Sequence, residues 1–301
     1  MNATIIDGRK EAALLRERLR PGIETFLREA GRAPGLAVVL VGNDPASEIY
    51  VQTKARHARS VGMTSFEYRL EYSSGEDEVL ALVDRLNNDP MIDGILVQLP
   101  LPSHLSKARI LQRINPQKDV DGFHPVNAGL LAVDEPGIVP CTPKGCLHLV
   151  RRVCPDVTGC DVVVIGSSTV VGRPAAQLFL NARCSVAVTH IDTHDVPAYT
   201  RNADIVVSAT GVPGLVKASW IKPGAIVIDV GITRIHGADG KGRIVGDVDF
   251  DEVRKTAGAI TPVPGGVGPM TVAMLLENTW ACALARHGGG AANVPADSPD
   301  Q

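Results

Sequence analysis

The chain has 301 residues, 45% of them hydrophobic, and a formal net charge of −3 at pH 7. This length suggests two domains, and the balanced charge, without a run of Lys or Arg, argues against a nucleic-acid-binding protein. No segment approaches the ~18 apolar residues of a membrane span, and the six cysteines lack the spacing of a zinc site or a disulfide framework. We therefore expect a cytoplasmic protein with a small-molecule partner, no metal, no nucleic acid and no membrane contact.

The first half of the chain alternates predicted helices and strands. Apolar residues at helical spacing predict a first helix over residues 8–30, which Pro21 should kink or split. The alternation that follows is typical of a parallel α/β unit. The predicted strands span 35–41, 65–71 and 94–99, and the predicted helices span 45–61, 76–88 and 104–114.

The helix predicted over 45–61 carries an aromatic ring and an amine on one face. Asp44 and Pro45 form a helix start, because the carboxylate can accept from free N–H groups and the proline has no N–H to satisfy. Tyr50 and Lys54 are four residues apart and share a face near the carboxyl end of the preceding strand. Lys54 is therefore a candidate acid or base, and the alternative is a solvated lysine whose stem lies along the tyrosine.

Three polar side chains are expected at the same edge of this sheet. Gln98 lies near the end of the strand 94–99, which Pro100 terminates. Asp119 and Asp121 follow on a loop rich in turn-forming residues. Loop carboxylates at a strand-end cleft can bind a donor-rich ligand edge, although turn and cap chemistry would also account for them.

A proline- and glycine-rich segment, 137–145, is expected to mark a domain crossing, with a helix over 145–153. The apolar strand 161–165 then runs into the loop GSSTVVGRP, residues 166–174, and a helix over 174–182. Its glycines permit a tight turn and a close approach at a helix N-terminus, where phosphate is favoured. The loop predicts a dinucleotide site, and a doubly wound domain without a ligand is the alternative.

The remaining segments complete this second α/β region. Asp192, after one of its strands, is placed to meet the adenosine ribose. The loop 258–271 is too rich in Pro and Gly for a regular element, and we expect it to bring bare backbone to a ligand ahead of a helix over 271–286. From His287 onward the tail lacks apolar content, and disorder is expected. The further predicted strands span 185–189, 204–209 and 225–230.

Several motifs, in order over nearly the whole chain, resemble the bifunctional methylenetetrahydrofolate dehydrogenase/methenyltetrahydrofolate cyclohydrolases. The resemblance implies two α/β domains, the second a Rossmann-like dinucleotide-binding domain, with a cleft between them. The expected folate-binding catalytic domain comprises residues 1–139 plus 272–286, the dinucleotide-binding domain 140–271, and the disordered tail 287–301. The motifs are VGNDPASEIYVQTK (41–54), DGILVQLPLP (93–102), KDVDGFHPVN (118–127), PCTPKG (140–145), GSSTVVGRP (166–174), IDVGI (228–232) and PVPGGVGPMT (262–271).

The resemblance also implies the reactions and the folate site. The expected reactions are oxidation of 5,10-methylenetetrahydrofolate and hydrolysis of 5,10-methenyltetrahydrofolate to 10-formyltetrahydrofolate, and the alternatives are a single-activity relative or a non-catalytic dinucleotide-binding protein. Lys54 is implied as the catalytic residue, with Tyr50 against the folate, Gln98 bonded to the lysine and Asp121 holding the pterin. The loop residues Pro264, Gly265 and Gly266 are expected to bind substrate as well.

For the cofactor, the resemblance implies a nicotinamide dinucleotide over Gly166, Ser167 and Ser168 that touches Ile232, in a protein that dimerises through its dinucleotide-binding domains. NADP is the family expectation. However, Ser167 stands where the family usually has an arginine for the 2′-phosphate, and Asp192 would repel that phosphate. Arg173 could compensate in part, and NAD is predicted to be used comparably or better.

Overall fold

The computed structural model describes residues 2–236 and 242–288, in which the chain forms two compact units. The three-stranded unit contains residues 13–141 and 272–288, and the six-stranded unit contains residues 2–12, 142–236 and 242–271. The described strands are β1 (Thr4–Ile5), β2 (Gly35–Val41), β3 (Thr64–Leu70), β4 (Gly94–Val97), β5 (Asp161–Ile165), β6 (Ser185–Thr189), β7 (Ile205–Ser208), β8 (Ile226–Asp229), β9 (Thr233–His236), β10 (Gly242–Val245) and β11 (Ala259–Ile260). The described α-helices are α1 (Gly8–Ala30), α2 (Pro45–Ser60), α3 (Glu76–Asn88), α4 (Lys107–Arg113), α5 (Pro125–Ala132), α6 (Cys141–Arg151), α7 (Gly172–Asn181), α8 (Val196–Thr200), α9 (Phe250–Val253) and α10 (Val267–Arg286).

The three-stranded unit is a parallel sheet in the order β3-β2-β4. Every residue of the central strand β2 is buried, as expected for a parallel strand covered on both faces. Side chains of β2 and β4 pack with those of α3 and α4 in one apolar core, which includes Val39, Ile95, Val83 and Ile110. The carboxyl ends of β2 and β4 therefore lie side by side at one edge of the sheet, which is where the predicted folate residues follow them.

The six-stranded unit is built on a parallel sheet in the order β1-β11-β8-β7-β5-β6. Its first central strand, β5, pairs with β6 on one side and with β7 on the other, so the strand order reverses direction there. Open α/β sheets bind ligands at the carboxyl ends of the strands beside such a switch point. Two α/β units, one of them doubly wound, confirm the predicted fold class.

The N-terminal residues differ in placement from the expected division. Strand β1 pairs in parallel with β11, and residues 2–12 group with the six-stranded unit rather than with the rest of the first half. A two-residue strand has no periodicity to detect, so only its partner reveals it. The expected disordered tail lies, from residue 289 onward, outside the described residues.

Proline explains most of the misplaced helix bounds. Pro125, Pro143 and Pro269 each lie in the first turn of a helix, where N–H groups have no intrahelical acceptor and proline is tolerated. The prediction treated these prolines as loop residues, so it missed α5 and began α6 and α10 four residues late. Pro21 does not split α1, which runs from residue 8 to residue 30. The antiparallel pair β9 and β10 was also not predicted.

Candidate active site

Helix α2 begins where the sequence predicts, at the carboxyl end of β2. The Asp44 carboxylate accepts from the backbone N–H of Ser47 at 2.8 Å, and Pro45 is the first helical residue. Gly42, with φ +88°, turns the chain between strand and helix. This local geometry carries Tyr50 and Lys54 on a helix that starts directly at the edge of the sheet.

Lys54 contacts Gln98, as the resemblance implies. Its Nζ donates to Gln98 Oε1 at 2.9 Å, and Gln98 Nε2 donates in turn to the Leu99 carbonyl at 2.6 Å. Gln98 is buried, and its own N–H donates to the Val39 carbonyl at 2.8 Å. Because both ends of the Gln98 amide are bonded, its oxygen is held toward the amine of Lys54.

Asp121 interacts electrostatically with Lys54. Burial raises the pKa of its carboxyl to about 6, the Lys54 charge lowers it and the neighbouring Asp119 raises it further. Asp119 is itself buried and accepts from the His124 N–H at 2.8 Å and from Asn127 Nδ2 at 2.9 Å, which is the turn chemistry considered as its alternative. Tyr50, one helical turn before Lys54, is 44% exposed.

Pro264, Gly265 and Gly266 belong to the six-stranded unit, in the turn that precedes α10. The Val263–Pro264 peptide is cis, and Gly265 has φ +114°. The Gly265 carbonyl accepts from the Arg9 N–H at 3.2 Å. A Cβ on Gly266 would overlap the Pro262 carbonyl and the Thr261 side chain, so this position of the turn has no room for a side chain.

The loop after β5 has the close backbone packing that a dinucleotide requires. Gly166 has φ +113°, and a Cβ there would overlap the Ala209 carbonyl, while a Cβ on Gly172 would overlap the Gly166 carbonyl. Ser168 Oγ accepts from the N–H of Val171 at 3.2 Å and of Gly172 at 3.3 Å. The loop therefore presents backbone at the N-terminus of α7, which suits a phosphate group.

Arg173 is tied to this loop and does not project freely from it. Its Nε donates to the Ser167 carbonyl at 3.0 Å, and its N–H donates to the Ser168 carbonyl at 3.0 Å. Asp192 follows β6 with its side chain 84% exposed, and its Oδ2 lies 3.5 Å from His190 Nδ1. Ile232, 49% exposed, follows β8.

Two buried carboxylates at the carboxyl edge of the six-stranded sheet were not predicted as functional residues from the sequence. Asp229 ends β8 and Asp247 follows β10, and both are almost fully buried. A sequence signal was present, because each lies within two residues of a glycine, Gly231 or Gly246, at the end of a strand. Among the residues that the structure describes, no group of His, Cys, Asp and Glu is placed to hold a metal ion, and no helix is long and apolar enough to cross a membrane.

Comparison with protein families matches both halves of the chain. The catalytic-domain model of tetrahydrofolate dehydrogenase/cyclohydrolase matches residues 6–121, and the NAD(P)-binding-domain model of the same enzymes matches residues 140–287. The chain belongs to the tetrahydrofolate dehydrogenase/cyclohydrolase family. As a member it is an enzyme with dehydrogenase and cyclohydrolase activities, and its six-stranded unit is an NAD(P)-binding domain.

Relatives of this family cover almost the entire chain. The bifunctional protein FolD of Methylorubrum extorquens is 60% identical over 95% of this chain and 93% of its own length, and that of Zymomonas mobilis is 54% identical over 92% and 95%. The crystal structure of the bifunctional FolD of Campylobacter jejuni matches with a TM-score of 0.90 at 48% identity, covering 94% of this chain and 99% of that one. The FolD of Trypanosoma brucei, solved with NADP and an inhibitor, matches with a TM-score of 0.90 at 41% identity, covering 95% and 99%.

Proposed function

We propose that Lys54 transfers protons in the hydrolysis of 5,10-methenyltetrahydrofolate at the carboxyl edge of β2 and β4. The observation that carries this assignment is the hydrogen bond from Lys54 Nζ to Gln98 Oε1. It joins α2, which begins after β2, to the residue that follows the neighbouring strand β4. Water adds to the bridging carbon and loses one proton, which gives a neutral hydroxyl adduct. The hydroxyl then loses its proton to become the formyl C=O while the bond from that carbon to N5 breaks and N5 gains a proton, so one proton is released overall. One amine can carry out both transfers, and such catalysis is typically worth about 10²–10⁴-fold.

Gln98 and Asp121 have distinct roles in this proposal. Gln98 fixes the orientation of the amine, because its oxygen accepts from Lys54 while its NH₂ group is held by the Leu99 carbonyl. Asp121 offers two acceptor oxygens to the amino-pyrimidinone edge of the pterin. Tyr50 offers a half-exposed ring against which the folate can lie. Pro264, Gly265 and Gly266 are retained as further substrate-binding residues.

The dehydrogenase reaction places different demands on the protein. Removal of hydride from the methylene carbon leaves a cation that the lone pairs of N5 and N10 stabilise, so positioning is the main task and no base is needed. The dinucleotide, when bound, supplies the hydride acceptor. Gly166, Ser167 and Ser168 are proposed to hold its phosphates at the N-terminus of α7, and Ile232 to touch its nicotinamide end.

We also propose that selectivity for NADP over NAD is reduced. The side chain of Asp192 is 84% exposed after β6, and Arg173 donates its Nε to the Ser167 carbonyl, a contact with its own loop that partly fixes its guanidinium. Repulsion from Asp192 would cost about 1 kcal/mol at such a site. Steady-state kinetics with both cofactors test this, and a strong preference for NADP would contradict it.

A homodimer through the dinucleotide-binding domain remains part of the proposal. Strand β6 is the edge of the six-stranded sheet, and its Val188 is 41% exposed. An apolar edge strand is suited to pairing with a second copy. Light scattering after size-exclusion chromatography would test it, and a monomer at micromolar concentration would contradict it. A cytoplasmic location also stays a prediction.

The assignment of Lys54 is tested by the absorbance of methenyltetrahydrofolate, which an active cyclohydrolase removes without any dinucleotide. Lys54→Met should lower this rate by about 10²-fold or more. Lys107→Met, which removes an exposed lysine from the start of α4 in the same unit, is the matched control and should keep the wild-type rate. Near wild-type hydrolysis by Lys54→Met would refute the role given to Lys54.

A further inference from the structure

Asp229 and Asp247 form a buried carboxylate pair at the carboxyl edge of the six-stranded sheet. Asp229 is 3% exposed and Asp247 is 0% exposed. They lie outside the glycine-rich loop after β5, and neither belongs to the phosphate-binding pattern of that loop. Two carboxylates removed from water are costly unless donors surround them, so their contacts are informative.

Asp229 holds the chain that follows β8 and β10. Its Oδ1 accepts from the N–H of Gly231 at 2.9 Å and of Asp247 at 3.0 Å, and its Oδ2 accepts from the N–H of Val248 at 2.9 Å. Gly231 immediately precedes Ile232. One carboxylate therefore fixes the start of the loop after β8 against the segment after β10.

Asp247 holds the chain that follows β7. Its Oδ2 accepts from the N–H of Thr210 at 2.7 Å and from Ser208 Oγ at 3.1 Å. Its Oδ1 is buried without a hydrogen-bond partner in the part of the chain that the structure describes. The second carboxylate therefore fixes the start of the loop after β7, beside the one that Asp229 fixes.

Each of the two carboxylates also packs closely against a glycine. A Cβ on Gly231 would overlap the Asp247 carboxylate, and a Cβ on Gly246 would overlap the Asp229 carboxylate. Each aspartate thus occupies space that a side chain on the other segment would fill. Burial raises the pKa of Asp229 to about 6; the backbone N–H groups that it accepts from lower this pKa, and the Asp247 charge raises it. The pair therefore has an electrostatic cost that an apolar pair would avoid.

We infer that Asp229 and Asp247 are positioning residues of the dinucleotide site, which hold the loops after β7 and β8 in the one geometry that accepts the cofactor. β7 and β8 are adjacent strands, and their loops begin with Thr210 and with Gly231 and Ile232. The carboxylates hold backbone N–H groups of both loops, which an apolar core could pack but not orient. This inference rests on the proposed placement of the dinucleotide at this edge.

The experiment compares the two activities of one enzyme preparation. Asp229→Asn keeps the size of the side chain, but both carboxylate oxygens of Asp229 accept from backbone N–H groups, so the new NH₂ group must face a donor in either orientation. We expect the KM for the dinucleotide, and its dissociation constant from the fluorescence of the reduced form, to rise about tenfold or more. The cyclohydrolase rate, measured without dinucleotide, should stay within about twofold of the wild-type rate, since the substitution removes no contact of the folate residues.

Asp204→Asn is the matched control. Asp204 also accepts from a backbone N–H, that of Asp161 at 3.0 Å, and from Lys222 at 2.7 Å, but it lies at the opposite, amino edge of the same sheet. Its substitution should leave the KM for the dinucleotide unchanged. An equal rise in both variants would show a general loss of stability and would overturn the inference.

Ser208→Ala keeps the test decisive if Asp229→Asn folds poorly. It removes one donor to Asp247 without placing an unpaired group among the carboxylates, and we expect a rise of about threefold to tenfold in the KM for the dinucleotide with cyclohydrolase retained. An unchanged KM in Ser208→Ala, or a parallel loss of both activities and of Tm, would overturn the inference. A wild-type enzyme without cyclohydrolase activity would instead contradict the role proposed for Lys54.

Discussion

Asp121→Asn should weaken folate binding and at the same time stabilise the protein. The carboxyl of Asp121 has a pKa of about 6, raised from 3.8 chiefly by burial. The folded protein therefore disfavours the ionised form that the pterin edge requires. The substitution keeps the shape of the side chain and removes the charge, so binding and stability should change in opposite directions.

The pKa sets the size of the effect on binding. If only the ionised form binds, a pKa of about 6 means that the wild-type dissociation constant for folate rises about tenfold between pH 7 and pH 5. Binding is present above the pKa and is lost as the pH falls through it. Asp121→Asn should bind about tenfold more weakly at pH 7, because a charge-assisted contact is lost, and should show a flat profile over this range.

The pKa also sets the size of the effect on stability. A rise from 3.8 to about 6 corresponds to a cost of up to about 3 kcal/mol for the ionised carboxyl in the folded state. The sign follows from proton binding: the folded state holds the proton more tightly between these values, so stability falls as the pH rises from about 4 to about 6. Asp121→Asn should therefore gain stability relative to wild type over that window and keep the gain above it.

Isothermal titration calorimetry with folic acid, which carries the same amino-pyrimidinone edge as the substrate, would give the dissociation constants from pH 5 to pH 8. Urea unfolding at the same pH values would give the free energies of unfolding. Glu24→Gln, which removes the charge of an exposed carboxylate on α1 in the same unit, is the control and should follow wild type in both measurements. A wild-type dissociation constant that is constant from pH 5 to pH 8, or a loss of stability in Asp121→Asn at pH 7, would refute the reasoning.

Three further predictions concern other parts of the molecule. Gln98→Met should lower the cyclohydrolase rate by about 10- to 100-fold, because the amine of Lys54 loses its fixed acceptor; an unchanged rate at saturating substrate would contradict this. Gly166→Ala should abolish dehydrogenase activity and spare methenyl hydrolysis, since the new Cβ would overlap the Ala209 carbonyl; an assay of both activities on one preparation decides it. Burial, helped by the nearby Arg286, lowers the pKa of Lys118 to about 8, so the folded state loses this proton at a lower pH than the unfolded state. Wild type should therefore gain up to about 3 kcal/mol of stability relative to Lys118→Met as the pH rises from 8 to 10. Urea unfolding that shows no such gain would contradict this prediction.

The errors of the sequence-based reading have a common origin in local context. Pro125, Pro143 and Pro269 favour loops when only their sequence neighbours are considered, although proline in the first turn of a helix breaks no hydrogen bond. Strand β1 has two residues and is defined by its partner β11. Asp229 and Asp247 stand beside glycines at strand ends, but two acidic residues 18 positions apart in sequence gave no indication that they would meet.

The sequence by itself determined the alternation of elements, the start of α2 at Asp44 and the motifs that resemble the folate enzymes, because each depends on residues close together in the chain. It also placed Tyr50 and Lys54 on one helix face. The tertiary structure decided what those residues contact. Lys54 meets Gln98 across 44 residues, and the pKa of Asp121 depends on how much water the surrounding segments exclude. Desolvation and long-range hydrogen bonds arise only when distant segments pack together, which local pattern cannot report.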